Sequence, residues 1–313
     1  MPLKWVAFWV LGLIWGSSFL LIRIGVESVS PFQIVFMRTA IAAVCLNLAL
    51  YSRGHVARLK SGIGPLVLIG LASITIPFIL ITWGEQTVDS GTASVLTATD
   101  ALFTLLISAL IFRSEPFTGR KLIGVIIGFV GVVALVSRSL QGGAAQAGSL
   151  PGQAAILLAA LFYAASDSYA YRLSLRWDDW RMVAAGAMLF AALSSGVVML
   201  LSPLLGGPPL TPLNAIPADA LVAILVLSIV NTFLSYLVYY WMIRQLGASR
   251  ASMVTYVAPV VGLALGAPVL NEVVDEGLLI GAALVLSGIA AVTLRFSWRV
   301  SPPPPTAQLE RVS

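Results

Sequence analysis

Few side chains able to do chemistry lie inside the long apolar runs of this chain: Arg38 and Asp100 sit deep in two of them, and Asp167 near the end of a third. An ionised group in a bilayer is costly unless it meets water, a counter-charge or a ligand, so each is a functional candidate. At roughly 1.5 Å of rise per residue, Asp100 falls about 13 Å and Arg38 about 10 Å from the outer ends of their helices. At that depth Asp100 either binds a substrate ammonium or carries a proton, or it is a structural acid paired with Arg38. Such a pair offsets its desolvation only with good geometry. Asp167 follows Tyr163 by one helical turn and reads as a gate or as an interfacial acid beside Arg172 and Arg176. Pro77 and Pro259, inside apolar runs, each free a carbonyl, which suits a hinge beside a cavity as well as a packing kink. Glu85, Asp89, Glu272, Asp275 and Glu276 fall between runs and are read as solvated loop acids without a site role.

Holding these groups takes a membrane fold. The 313 residues are 59% hydrophobic and 10% charged, with mean hydropathy +0.97, against roughly 25% charged in soluble domains. A soluble enzyme is excluded. Apolar runs near residues 3–22, 31–51, 64–83, 91–112, 119–137, 151–171, 180–202, 218–243, 251–270 and 277–296 predict an all-α polytopic protein of ten transmembrane helices. The first run follows Lys4 without a small-residue cleavage pattern and reads as a retained span. One cysteine, Cys45, and one histidine, His55, allow no disulfide and are too few soft ligands for a zinc or iron–sulfur site, so no metal or cofactor is expected. The net charge of +5 comes from basic residues scattered between runs, not from a nucleic-acid-binding face. They gather in alternate loops, with only Arg23 and Arg138 on the other set, which places both termini in the cytoplasm. The proline-rich loop 203–217 has no basic residue and is predicted external; the tail 298–313, with its polyproline stretch, is predicted to be disordered and cytoplasmic.

The chain also repeats itself. Trp83, Ala93, Ser94 and Thr97 recur at one constant offset as Trp241, Ala251, Ser252 and Thr255, and one residue less brings Glu115, Gly124 and Gly131 onto Glu272, Gly281 and Gly288. A weaker echo sets Trp15, Gly16 and Ser18 against Tyr163, Ala164 and Ser166. The units are residues 1–140 and 150–297, five helices each, so the second must enter the membrane inverted. That arrangement favours a transporter in which one midplane site faces each side in turn. Three pairs, Gly12 with Gly16, Gly124 with Gly128 and Gly262 with Gly266, offer close helix packing, within the chain or between copies. A complete internal repeat makes a monomer, contacting membrane lipids, sufficient.

Trp15-Gly16-Ser17-Ser18-Phe19, then Ser30-Pro31 and Arg38, resemble the opening of the EamA branch of the drug/metabolite transporter superfamily. Glu115-Pro116-Phe117-Thr118 ahead of Gly124 and Gly131, echoed by Asn271-Glu272 ahead of Gly281 and Gly288, look like the pattern that ends each EamA repeat. The resemblance spans about residues 3–296 and is strongest toward the YddG-type amino-acid exporters, whose cargo includes aromatic amino acids. It implies ten helices in two inverted repeats, a bacterial inner-membrane location, and a central cavity lined by helices 1, 3, 4, 6, 8 and 9. The spans lack the lysine pair of related sugar-phosphate carriers, which disfavours phosphorylated cargo.

An amino-acid cargo asks for aromatic faces, hydroxyls or amides and an acid. Trp15, Ser18, Phe78, Thr82, Thr97, Asp100, Tyr163, Asn231 and Tyr256 supply such a set, the rings holding apolar side chains or cations. Trp5, Trp9, Trp177, Trp180 and Trp298 are read as interfacial anchors. The alternatives are export of other metabolites or drugs and, in a different class, an intramembrane lipid-modifying enzyme. For the latter, the His and acid cluster such chemistry needs is missing: His55 is alone in a basic loop, and Asp178-Asp179 lack spaced partners. A channel would need an oligomeric pore with a filter.

Overall fold

A computed structural model describes residues 3–50, 63–111, 117–140, 149–174, 180–246 and 252–293; within these, the side chains of 167–182 are not among those described. The side chain of Asp167, the loop residues His55, Glu115, Pro116, Trp177, Asp178 and Asp179, and the tail with Trp298 therefore lie outside the described residues.

The described elements are all helical, with no strand among them. They run as α1 (Leu3–Val26), α2 (Pro31–Leu50), α3 (Ile63–Gly84), α4 (Ser90–Ile111) and α5 (Gly119–Leu140). Next come α6 (Leu150–Ser174), α7 (Trp180–Leu201) and α8, built of Ala218–Ser228, Ile229–Leu234 and Ser235–Leu246. Then α9 joins Ser252–Tyr256 to Val257–Leu270, and α10 is Glu276–Thr293. Among the described residues, 8 helices are long and apolar enough to cross a membrane, while α6 and α10 carry shorter apolar stretches, Leu150–Ser166 and Glu276–Val292. Helix bounds follow the hydropathy pattern within a few residues, with one consequential shift: α1 runs on to Val26 and takes Arg23 into its last turn, where a cation faces the negative end of the helix dipole.

Several helices are irregular at mid-length. Gly70–Thr75 in α3 and Ile229–Leu234 in α8 are π-helical, and both turns contribute to the central cavity wall, through Ser73 and Ile74 and through Asn231. The α4 helix breaks at Ala98–Thr99, and α9 begins as a 3-10 turn over Ser252–Tyr256. Pro77 sits in the first turn of the α-helical segment that follows the π turn of α3. Pro259, expected in mid-helix, is the third residue after the 3-10 turn of α9. Both occupy the first turn of a regular segment, where the lost N–H does least harm.

Small residues let the backbones meet. A Cβ at Gly124 would stand 2.8 Å from the carbonyl oxygen of Gly288, and one at Gly131 2.8 Å from that of Gly281, so α5 and α10 touch main chain to main chain. Gly12 and Gly16 let α1 close on α9: a Cβ at Gly12 would meet the Val257 side chain, and one at Gly16 the Val261 side chain and the Ala258 carbonyl oxygen. All three glycine pairs of the sequence are thus used inside one chain. Hydroxyl pairs fasten α7: Thr39 bonds Ser195 at 2.9 Å and Thr75 bonds Ser194 at 2.7 Å. The proline-rich loop is tied to the start of α2 by a reciprocal amide pair, Gln33 Nε2 donating to the Thr211 carbonyl at 2.7 Å and Thr211 N–H to Gln33 Oε1 at 2.9 Å.

Candidate functional site

The helices enclose a cavity of about 310 Å³, at the lower end of the roughly 300–1,000 Å³ typical of small-molecule sites. Its wall extends from Ala184 and Thr255, near the starts of α7 and α9, to Ile22, Ile81 and Ser94, near the turn between α3 and α4. Trp15, Ser18, Phe78, Thr97, Asp100, Tyr163 and Asn231 line it, with Arg38. Of the expected set, Thr82 and Tyr256 do not: Thr82 is buried in protein, and Tyr256 packs against the hydrophobic core while its neighbour Thr255 takes the wall.

Arg38 is held in two ways. Its Nε donates to Thr232 Oγ1 at 2.8 Å, and its guanidinium carbon stands 3.9 Å from the centroid of the Phe78 ring. Thr232 itself donates to the Leu227 carbonyl at 2.7 Å, a reach of five residues made possible by the π turn. Tyr163, Tyr236 and Glu85 are the titratable groups close enough to act on the charge of Arg38. Asp100 enters the same cavity from α4 as a separate wall residue with interactions of its own. The pairing expected between the two is therefore not what fixes Arg38; a hydroxyl and a ring do.

Asn231, inside the π turn of α8, ties that helix to α1. Its Nδ2 donates toward Ser18 Oγ at 3.0 Å, Ser17 Oγ at 3.1 Å and the Ile14 carbonyl. Its Oδ1 is buried without a hydrogen-bond partner. Beside it Trp15 and Tyr239 make a tilted ring pair at 5.1 Å. Tyr236 and Tyr239 are wall residues that sequence reasoning missed. A π turn inserts a residue and rotates everything after it by about 100°, so a strict 3.6-residue period places these tyrosines on the wrong face.

The α3–α4 turn, beyond Ile81, is held by acids that the sequence placed in solvent. Glu85, at the C-terminus of α3, is completely buried, and neither of its carboxylate oxygens has a hydrogen-bond partner. Its backbone carbonyl accepts from Arg23 at 2.5 Å. Glu272 crosses from the end of α9 to accept the backbone N–H groups of Ser90 at 2.7 Å and Gly91 at 3.1 Å, capping α4. Asn271 makes this possible by turning the chain through a left-handed conformation, φ 54°, which asparagine tolerates better than most residues. Burial pushes the Glu85 carboxyl well above the usual glutamate range; Glu272 adds to the effect, and Arg23 and Arg38 oppose it.

A family model described as the EamA-like transporter family matches residues 4–137 and 150–294. The chain is 30% identical over 291 residues to the uncharacterized inner membrane transporter YedA of Escherichia coli (strain K12), an alignment covering 92% of this chain and 90% of that one. It is 27% identical over 279 residues to a protein of Salmonella typhimurium (strain LT2) named "Probable amino-acid metabolite efflux pump", covering 88% and 90% of the two. A solved crystal structure superposes with a TM-score of 0.64 at 20% identity, over 92% of this chain and 95% of the other, which is a likeness of fold.

Proposed function

Because the chain belongs to the EamA-like transporter family, we propose that it exports amino acids, aromatic and other neutral ones, and related metabolites through its central cavity by alternating access. The observation that carries this reading is the guanidinium of Arg38, anchored through Nε and one ring face in a cavity walled by aromatic rings, aliphatic side chains, hydroxyls, an amide and the Asp100 carboxylate. Only Nε is used by Thr232, so the terminal amino groups of the fork serve a cargo carboxylate. Asp100 receives the ammonium, and Trp15, Tyr163 and Phe78 hold the side chain. The names of the Salmonella relative and of the inner-membrane relative support cargo class and location. The protein is read as a multi-pass inner-membrane monomer with both termini cytoplasmic.

Residues 1–140 and 150–297 act as two inverted repeats. Two features support that reading: the π turns recur at matching places in α3 and α8, and the glycine contacts of α5 with α10 are reciprocal, as a two-fold axis requires. Pro77 and Pro259, each beside an irregular turn, are the hinges, and Asp167 serves as a gate at the other mouth.

Counterflow into proteoliposomes preloaded with unlabelled amino acid tests the proposal, using aromatic, aliphatic and charged tracers, with and without a pH gradient, for wild type and Asp100→Asn. Saturable counterflow of neutral amino acids is expected. Its absence with every amino acid in folded protein overturns the cargo class.

A further inference from the structure

Glu85 does not line the cavity, yet it is buried without a hydrogen-bond partner one helical turn beyond the wall residue Ile81. Among the described residues, the charged groups that face it are Arg23 from α1, Arg38 from α2 and Glu272 from the segment after α9. The neighbouring part of α6 brings no charge: Gly152 and Ile156 pack against Gly84. A small polar pocket lined by Arg23, Glu27, Asp89 and Glu272 lies beside these groups.

Two contacts hold the α3–α4 turn in place. Arg23 donates to the backbone carbonyl of Glu85, and Glu272 accepts from Ser90 and Gly91. A negative charge on Glu85 draws Arg23 from that carbonyl to the carboxylate, and it repels Glu272 from the end of α4. One ionisation opposes both contacts at once.

We propose that Glu85 is a proton-binding latch: with its proton it keeps this end of the cavity shut, and loss of the proton to water on that face releases the α3–α4 turn. The proton returns from the same side when the turn closes. Burial and the nearby Glu272 carboxylate favour the protonated form in the closed state. The latch rests on the alternating-access reading, and it sets when the exit side opens rather than what is carried.

The test uses Ser90→Cys in a Cys45→Ser background. Ser90 is completely buried beneath Glu272, and its hydroxyl has no hydrogen-bond partner to lose. Reaction with a thiol reagent in detergent is read as a ratio to Leu204→Cys on an exposed loop, which cancels the pH dependence of the reagent and of an exposed thiol, while Glu85→Gln in the same Ser90→Cys background carries the same buried thiol. The expected ratio rises about tenfold or more between about pH 5 and about pH 9, since each pH unit across a proton-linked transition is worth up to about tenfold. Glu85→Gln, a neutral stand-in for the protonated acid, holds the ratio at its low-pH level throughout. Glu272→Ala removes the cap on α4 directly and raises the ratio at every pH. A flat wild-type ratio, a pH rise that survives in Glu85→Gln, or a low ratio in Glu272→Ala overturns the latch. No cargo is needed, so failure here leaves the counterflow result untouched, and failed counterflow leaves this one readable.

Discussion

The Glu272 carboxylate accepts the backbone N–H of Ser90 at 2.7 Å across 182 residues of chain, and that of Gly91 at 3.1 Å. The first turn of a helix carries N–H groups with no partner of their own and the positive end of the helix dipole, so an anion there is doubly stabilised. A residue that follows α9 thereby completes α4. The sequence echo of Glu272 is Glu115, in the corresponding position after α4.

Gly266 is the seat on which that carboxylate rests. A Cβ at Gly266 would fall on Glu272 Oε2 and 2.6 Å from Ser90 Oγ. Gly266→Ala is expected to displace the cap and cost about 1–3 kcal/mol, the range for leaving buried polar groups unpaired. Thermal unfolding in detergent checks this. Gly64→Ala, with nothing within 4 Å of the new Cβ, is the matched control and should melt close to wild type.

Replacing Arg38 separates its fork from its charge. Arg38→Lys keeps the charge but loses both the Nε bond to Thr232 and the stacked plane over Phe78. The apparent affinity for amino acids in counterflow should fall about tenfold or more, equivalent to about 1.4 kcal/mol. An amine lacking the carboxylate, offered as competitor, should lose nothing. Equal loss for both would make Arg38 a structural residue only.

Asn231 is the bond between α8 and α1. Asn231→Leu removes the donor shared by Ile14, Ser17 and Ser18 and leaves these groups to find other partners. A loss of about 1–3 kcal/mol in thermal or denaturant unfolding is expected. Asn231→Asp should do worse, since it turns a donor into a buried acceptor facing other acceptors. An Asp variant as stable as wild type would contradict the bonding described.

Stability should fall as pH rises, and Glu85 sets the sign. Below the ordinary glutamate range folded and unfolded chains both hold its proton. Above that range the unfolded chain releases the proton while the closed fold keeps it, so stability declines with pH until the raised folded value is passed. The Tm of wild type should therefore drop between about pH 5 and about pH 8, by more than that of Glu85→Gln, whose side chain does not titrate. Parallel curves for the two proteins would remove Glu85 as the source.

How much was readable beforehand differs between the helices and the ends that join them. The positions of the runs followed from hydropathy, because a bilayer forces every span to satisfy its own backbone and to be apolar along about 20 residues. Trp15, Thr97 and Asp100 came to the cavity wall for the same reason: polar or amphipathic groups at mid-depth avoid lipid. Tyr236 and Tyr239 escaped because the π turn before them changes the helical period, and nothing in Ile229–Leu234 announces a π turn. Glu85 and Glu272 were misassigned for a different reason. A charged residue between two apolar runs ordinarily lies in water, and only the folding of α9 against α4, with the left-handed Asn271, buries this one and aims that one.

The glycine seam between α5 and α10 has a consequence for how the chain is assembled. Gly124 faces Gly288 and Gly131 faces Gly281, so the last helix of the first half finds its closest neighbour in the last helix of the second. During synthesis α5 must wait in the bilayer, its small-residue face uncovered, until the ribosome has delivered α10. Neither half made alone has a partner for that face, whereas two fragments severed between α5 and α6 and produced in the same cell retain everything needed to recombine.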